Sequence, residues 1–147
     1  MSAPNAARAT QTIVLHGRGV VPGVAEGEAL VSHETISGWG GIDPATGVII
    51  EPRHELYGVS FAGRVLVFPG AKGSSGWSGF FQATRLNGCA PLAMVFTTMT
   101  TKVALGAVVT RVPAVTGLDQ DPVQVIATGD RVRVDAGSGV VMVKRAG

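Results

Sequence analysis

The segment Phe68-Pro-Gly-Ala-Lys-Gly-Ser-Ser-Gly-Trp-Ser-Gly79 carries the residues of this chain best suited to chemistry. Lys72, Gly73, Ser74 and Ser75 follow an apolar run, Arg64 to Phe68, and precede an amphipathic one. A strand ending at Pro69-Gly70 and a helix starting near Ser74 would put them beyond the carboxyl end of a strand. That is where α/β sheets bind ligands. A helix start offers unpaired N–H groups and partial positive charge, so it receives anions. A serine hydroxyl there loses its proton more readily, because the same groups favour the alkoxide. Lys72 adds positive charge two residues before Ser74, and the glycines let backbone approach a substrate. The chemistry implied is proton abstraction by a serine beside an anionic group. The segment also reads as plain structure, since serine is a favoured N-cap and Gly/Ser loops are ordinary turns. It is not a Walker A loop, because its lysine precedes the glycine.

Little else could act. His16, His33 and His54 lie in loop-like or strand-edge contexts and form no triad with a serine and an acid. No His/Cys/Asp/Glu set has metal-ligand spacing, so no metal site is expected. The one cysteine, Cys89, cannot form an internal disulfide and reads as a small buried residue after a helix. A single cysteine fits a reducing compartment. Arg18 and Arg64 read as surface or ion-paired residues.

The elements that must position the loop follow from the pattern. Thr12 to Leu15 and Glu26 to Ser32 are strand candidates, separated by the breakers His16-Gly-Arg-Gly19 and Val21-Pro-Gly23. Ser37 to Pro44 is a glycine-rich loop, and Ala45-Thr-Gly47 turns into Val48 to Ile50. Arg64 to Phe68 suits a strand buried on both faces. The helix that follows has Ser74 or Ser75 as N-cap, the stripe Trp77, Phe80, Phe81 and Thr84, Arg85 in its last turn and Gly88 as its stop. Gly76 and Gly79 weaken that helix by about 1 kcal/mol each relative to Ala, which makes sense if a backbone or ligand approaches there. Leu92 to Thr97 is a second buried strand and Thr101 to Val109 a second helix. Val112 to Val115 and Val123 to Ala127 are β-type, and Arg131 to Asp135 with Val140 to Lys144 is a hairpin. The unit from Val65 to Thr97 is a right-handed crossover if both strands share a sheet.

Composition narrows the class. The chain has 147 residues, 46% hydrophobic and 15% charged, with a net charge of +2. That is one domain, 1–147, able to bury a core without disulfides, with residues 1–10 small, polar and expected to fray. The pI is 9.1, but Lys and Arg are scattered and aromatic residues few, so nucleic acid is not a partner. No secretory h-region and no membrane-length apolar run is present, which leaves a soluble cytoplasmic protein and no membrane.

Four separated blocks then carry a family resemblance. Gly27-Glu-Ala-Leu-Val31, Ser37 with Gly40-Gly-Ile-Asp-Pro44 and Thr46-Gly47, Ala62-Gly-Arg-Val-Leu-Val-Phe-Pro69, and Lys72-Gly-Ser-Ser75 occur in the order of the small subunit of aconitase X enzymes. Ala90-Pro91, Leu105-Gly-Ala107 and Gly129-Asp130 with Val134-Asp135 continue it. The chain resembles that family from about Gly17 to Val143. The resemblance implies a β-rich α/β fold, the swivelling β/β/α domain of aconitase. It implies a large partner subunit that carries an iron–sulfur cluster and most catalytic groups. It implies a hydro-lyase acting on a small-molecule hydroxy acid, with Ser74 as the base and Ser75, Gly73 and Lys72 contacting substrate. In aconitase proper an arginine follows the two serines, whereas Gly76-Trp77 follow here. Bacterial members dehydrate cis-3-hydroxy-L-proline to a pyrroline-2-carboxylate, and archaeal members dehydrate phosphomevalonate. The Ala-, Val- and Arg-rich, Lys-poor composition and the extension before Gly17 favour hydroxyproline.

Two other classes remain. A phosphotransfer swivelling domain has a similar closing hairpin but needs a phosphorylatable histidine in a Gly-Gly…Ser-His-Ala setting, which none of the three histidines has. A non-catalytic interaction module would use the Gly-rich loops as contact surface.

Overall fold

The structure is a computed structural model that describes residues 11–74 and 76–146. Its frame is an eight-stranded sheet in the order β1-β12-β11-β3-β7-β9-β10-β2. These strands are β1 (Thr12–His16), β2 (Arg18–Val21), β3 (Val24–Val31), β7 (Val65–Phe68), β9 (Ala93–Phe96), β10 (Ala114–Thr116), β11 (Arg131–Asp135) and β12 (Val140–Lys144). β3, β7, β9 and β10 run parallel, and the remaining pairings are antiparallel. Two-residue strands flank this frame: β4 (Ile36–Ser37) pairs with β8 (Ala71–Lys72), and β5 (Ile42–Asp43) with β6 (Val48–Ile49). The helices are α1 (Trp77–Leu86), α2 (Thr101–Thr110) and α3 (Pro122–Val125).

The two edges of the sheet order, β1 and β2, are consecutive in the chain and separated only by Gly17. One extended segment therefore supplies both edges. Gly17 N donates to Gly139 O at 2.8 Å, and Ala136 N donates to Gly23 O at 2.9 Å, so the β11–β12 turn is stitched to the β1–β2 segment. The sheet therefore curls until its two edge strands meet at Gly17.

β7 shows why its run has no polar alternation. Val65 and Val67 enter one core with Val95, Val115, Val132, Val134, Val141 and Leu15. Leu66 and Phe68 enter a second core with Met94, Phe96, Trp77, Phe81, Val103 and Ala107 of the two long helices. A period-two strand between two apolar layers must be apolar at every position. The result is a β/β/α stack, in agreement with the β-rich α/β class expected.

In α1, Trp77, Phe81 and Thr84 are buried and Phe80 is half-buried, as the stripe predicts. Gly88 follows it with φ +74°, the left-handed stop expected. Three expectations change. Residues 18–21, placed among breakers, form β2, because β10 pairs with them and a neighbouring strand outweighs local glycine. Of residues 123–127, expected as β-type, the first three lie in α3. There Asp121 accepts from Val123 N at 3.1 Å and Pro122 opens the helix, and this N-cap and N1 pair outweighs the β-branched residues. The cap of α1 is Gly76 with no side-chain cap hydrogen bond. Ser74 is therefore not the N-cap. Ser75 and residues 1–10, for which a cap and a frayed end are expected, lie outside the described residues. No helix among the described residues is long and apolar enough to cross a membrane.

Candidate active site

α1 and α2 both start at the C-terminal ends of adjacent parallel strands, β7 and β9, so their N-termini lie side by side. The Pro69–Gly76 loop occupies this rim. Trp77 anchors it from below. Its indole is fully buried, stacks on Phe81 with ring centroids 4.1 Å apart, and donates from Nε1 to Ile36 O at 2.8 Å. Ile36 and Ser37 pair in turn with Ala71 and Lys72. Two glycines make the packing possible. A Cβ on Gly106 of α2 would lie 2.1 Å from Trp77 Cζ3, and one on Gly38 would lie 2.9 Å from Trp77 Cα. At Gly76 and Gly79, where a close approach was expected, a Cβ would meet only ordinary contacts or open space among the described residues. The close approaches belong to Gly38 and Gly106 instead.

Lys72, Gly73 and Ser74 follow one another along this rim, from the end of β8 toward the start of α1. Ser74 is exposed, and its carbonyl accepts from Trp77 N at 3.3 Å. Its hydroxyl does not cap the helix. Gly73 has φ +94°, a backbone conformation that favours glycine, and a Cβ there would stand 3.7 Å from Ser37 Oγ. Lys72 Nζ pairs with Glu51 Oε2 at 2.8 Å. Lys102, in the first turn of α2, donates from Nζ to Gly73 O. The first turn of α1 holds no acidic side chain. The exposed serine thus lies next to a helix N-terminus, in a loop that two lysines hold.

Glu51 and Lys102 are the residues beside this loop that sequence reasoning missed. Glu51 joins the loop only through tertiary pairing, and nothing local signals it. Lys102 did leave a signal, because a cation in the first turn of a helix opposes the macrodipole.

The other candidates lie elsewhere. Arg64 immediately precedes β7, about 13 Å along the strand from the Ser74 end. Arg18 lies opposite Thr116 on the same rim as Ser74, but about 14 Å and three strands away. Among the described residues neither arginine forms an ion pair. The imidazole of His54 is buried and engaged at both nitrogens. Nδ1 accepts from Leu56 N at 3.1 Å, which puts the proton on Nε2, 3.2 Å from Thr35 O. His33 is exposed beside Glu55 at 3.2 Å, and the exposed His16 lies on β1. Cys89 is buried, donates to Pro44 O at 3.2 Å, and has its thiol pKa raised by burial and then by the charge of Asp43. Among the described residues no three His, Cys, Asp or Glu side chains converge on a common point. The residues present do not fit an iron–sulfur cluster, and no step through one is assigned to this chain.

The folded-over sheet, the paired helices on one face and the serine loop at the strand ends define a β/β/α swivelling domain. The chain belongs to the aconitase X swivel domain family, whose model matches residues 14–143, and is a small subunit of that hydro-lyase type. It is 43% identical over 127 residues to the phosphomevalonate dehydratase small subunit of Methanocella arvoryzae, covering 86% of this chain and 96% of the relative. It is 42% identical over 133 residues to that of Thermococcus kodakarensis, covering 90% and 98%. The crystal structure of Thermococcus kodakaraensis aconitase X in its holo-form superposes with a TM-score of 0.85 at 41% identity, covering 90% of this chain and 99% of that one. These relatives favour phosphomevalonate, the alternative, over the hydroxyproline expected from composition. Ala, Val and Arg content reports on genome and habitat, and it says nothing of the atoms that meet a substrate.

Proposed function

We propose that this chain is the small subunit of a phosphomevalonate dehydratase, in which Ser74 accepts the proton from the carbon next to the substrate carboxylate. The observation that carries the reading is the exposed, uncapping Ser74 beside the start of α1, in a loop held by Lys72 and Lys102. Removal of a weakly acidic C–H proton needs a strong base, and the lysine charges and first-turn N–H groups favour the alkoxide over the hydroxyl. The C–H electron pair becomes the new C=C bond, the hydroxyl on the neighbouring carbon departs, and water is the second product. A phosphorylated substrate also suits a helix start with no acid in its first turn. The large subunit is proposed as the partner, and the iron–sulfur cluster is assigned to it. When bound, such a cluster supplies a Lewis acid for the departing hydroxyl.

The test is the two-chain enzyme, reconstituted with an aconitase X-type large subunit and offered phosphomevalonate and cis-3-hydroxy-L-proline separately. Phosphomevalonate should be the one dehydrated, and Ser74→Ala should lower kcat by about 10²–10⁴-fold with the same melting temperature. Turnover of hydroxyproline alone would replace the substrate, and a fully active Ser74→Ala enzyme would remove the base.

A further inference from the structure

We infer that Lys102 is a positioning residue that sets the orientation of the Gly73–Ser74 peptide, and through it the catalytic hydroxyl. The inference rests on the proposed role of Ser74. Lys102 Nζ donates to Gly73 O, the carbonyl of the peptide bond that leads directly into Ser74. Gly73 holds φ +94°, so this peptide plane is turned away from the arrangement most residues adopt. The strands on either side do not hold it, because the β4–β8 pairing ends at Lys72. The ammonium of Lys72 is engaged by Glu51 at 2.8 Å. Among the described residues, Lys102 is therefore the side chain that fixes the peptide next to the serine.

The placement of Lys102 in its helix supports a role outside that helix. It lies in the first turn of α2, which contains no acidic residue, and Thr100 already caps this end by accepting from Val103 N. The positive end of the helix dipole disfavours a cation there. Helix stability alone would select against a lysine at this position, whereas a contact from the start of α2 to the neighbouring loop needs a long, charged donor. With β7 and β9 adjacent and parallel, the start of the helix after β9 brings such a donor within reach of the loop after β7.

The test uses the reconstituted two-chain enzyme with Lys102→Met, Lys102→Arg, Ser74→Ala and the Lys102→Met/Ser74→Ala pair. A misplaced base loses rate and leaves binding intact. Lys102→Met should therefore lower kcat by about 10- to 100-fold while KM stays within about two-fold and the melting temperature is unchanged. Lys102→Arg, which keeps a charged donor, should restore most of the rate. On the Ser74→Ala background, Lys102→Met should add nothing, because residues acting as a unit are non-additive. A raised KM with kcat intact would make Lys102 a substrate contact and overturn the inference, as would a further loss on the Ser74→Ala background. Full activity of Ser74→Ala itself would overturn the base assignment and this inference together. Full activity of Lys102→Met with Ser74→Ala inactive would overturn this inference alone.

Discussion

Lys72 Nζ stands 2.8 Å from Glu51 Oε2, a carboxylate 21 residues earlier in the chain, and Glu51 Oε1 is buried with no hydrogen-bond partner among the described residues. The lysine beside the proposed base is thus held from a separate loop. His54 in turn ties that loop to the β3–β4 connection through Thr35.

This pairing gives a signed prediction for Glu51→Gln. The two side chains are 42% and 27% exposed, so solvent screening limits the pair to about 0.2–1 kcal/mol of stability. The melting temperature should shift by no more than a few degrees. Catalysis should respond in two directions. Loss of a negative charge next to the loop lowers KM for an anionic substrate, and loss of the anchor on Lys72 lowers kcat. Steady-state kinetics of the two-chain enzyme measure both, and a raised KM would contradict the role given to Glu51.

Gly106→Ala should destabilise the chain although alanine is the better helix former. The propensity gain is about 1 kcal/mol. Against it, the new Cβ would lie 2.1 Å from Trp77 Cζ3 and 2.6 Å from Cε3, and overpacking of this kind costs about 1–3 kcal/mol. A displaced indole also strains the Nε1 bond to Ile36 O, whose strand pairs with Ala71 and Lys72. Urea titration should show the lower stability, and near-ultraviolet circular dichroism should show a changed tryptophan band. A variant more stable than the wild type would refute the packing argument.

Cys89 should be a poor nucleophile while the chain is folded. Burial raises its pKa above the usual 9.0, and the carboxylate of Asp43 adds to the effect. The fold favours the protonated thiol, which also donates to Pro44 O. A pKa raised by folding contributes stability that is fully present below 9.0 and is lost as pH rises through the folded value. Alkylation by iodoacetamide at pH 8 should be slow in buffer and fast in denaturant. Equal rates in the two would show that the thiol is open in the folded state.

The sequence alone determined those elements whose signals are local. The run Arg64 to Phe68 lies between two cores, and its lack of alternation reports this without any knowledge of what covers it. The stripe Trp77, Phe81 and Thr84 faces one core, and the residues of the terminal hairpin alternate at the strand period. The Lys72-Gly73-Ser74 segment announced itself by its place between strand and helix, and the family by blocks spread along most of the chain.

Tertiary structure decided what depends on partners distant in the chain. Arg18 to Val21 is a strand because β10 lies beside it, and the sheet closes on itself because Gly17 lets one segment serve both edges. The glycines that matter to α1 are Gly38 and Gly106, which lie outside it and make room for the indole of Trp77. Glu51 reaches Lys72, and Lys102 reaches Gly73, across 21 and 29 residues. Propensity and periodicity act over one or two turns of chain, so they can locate a serine at a strand end. The charges that surround it are brought there by the order of β7 and β9 and by the packing of two helix starts, which no local pattern encodes.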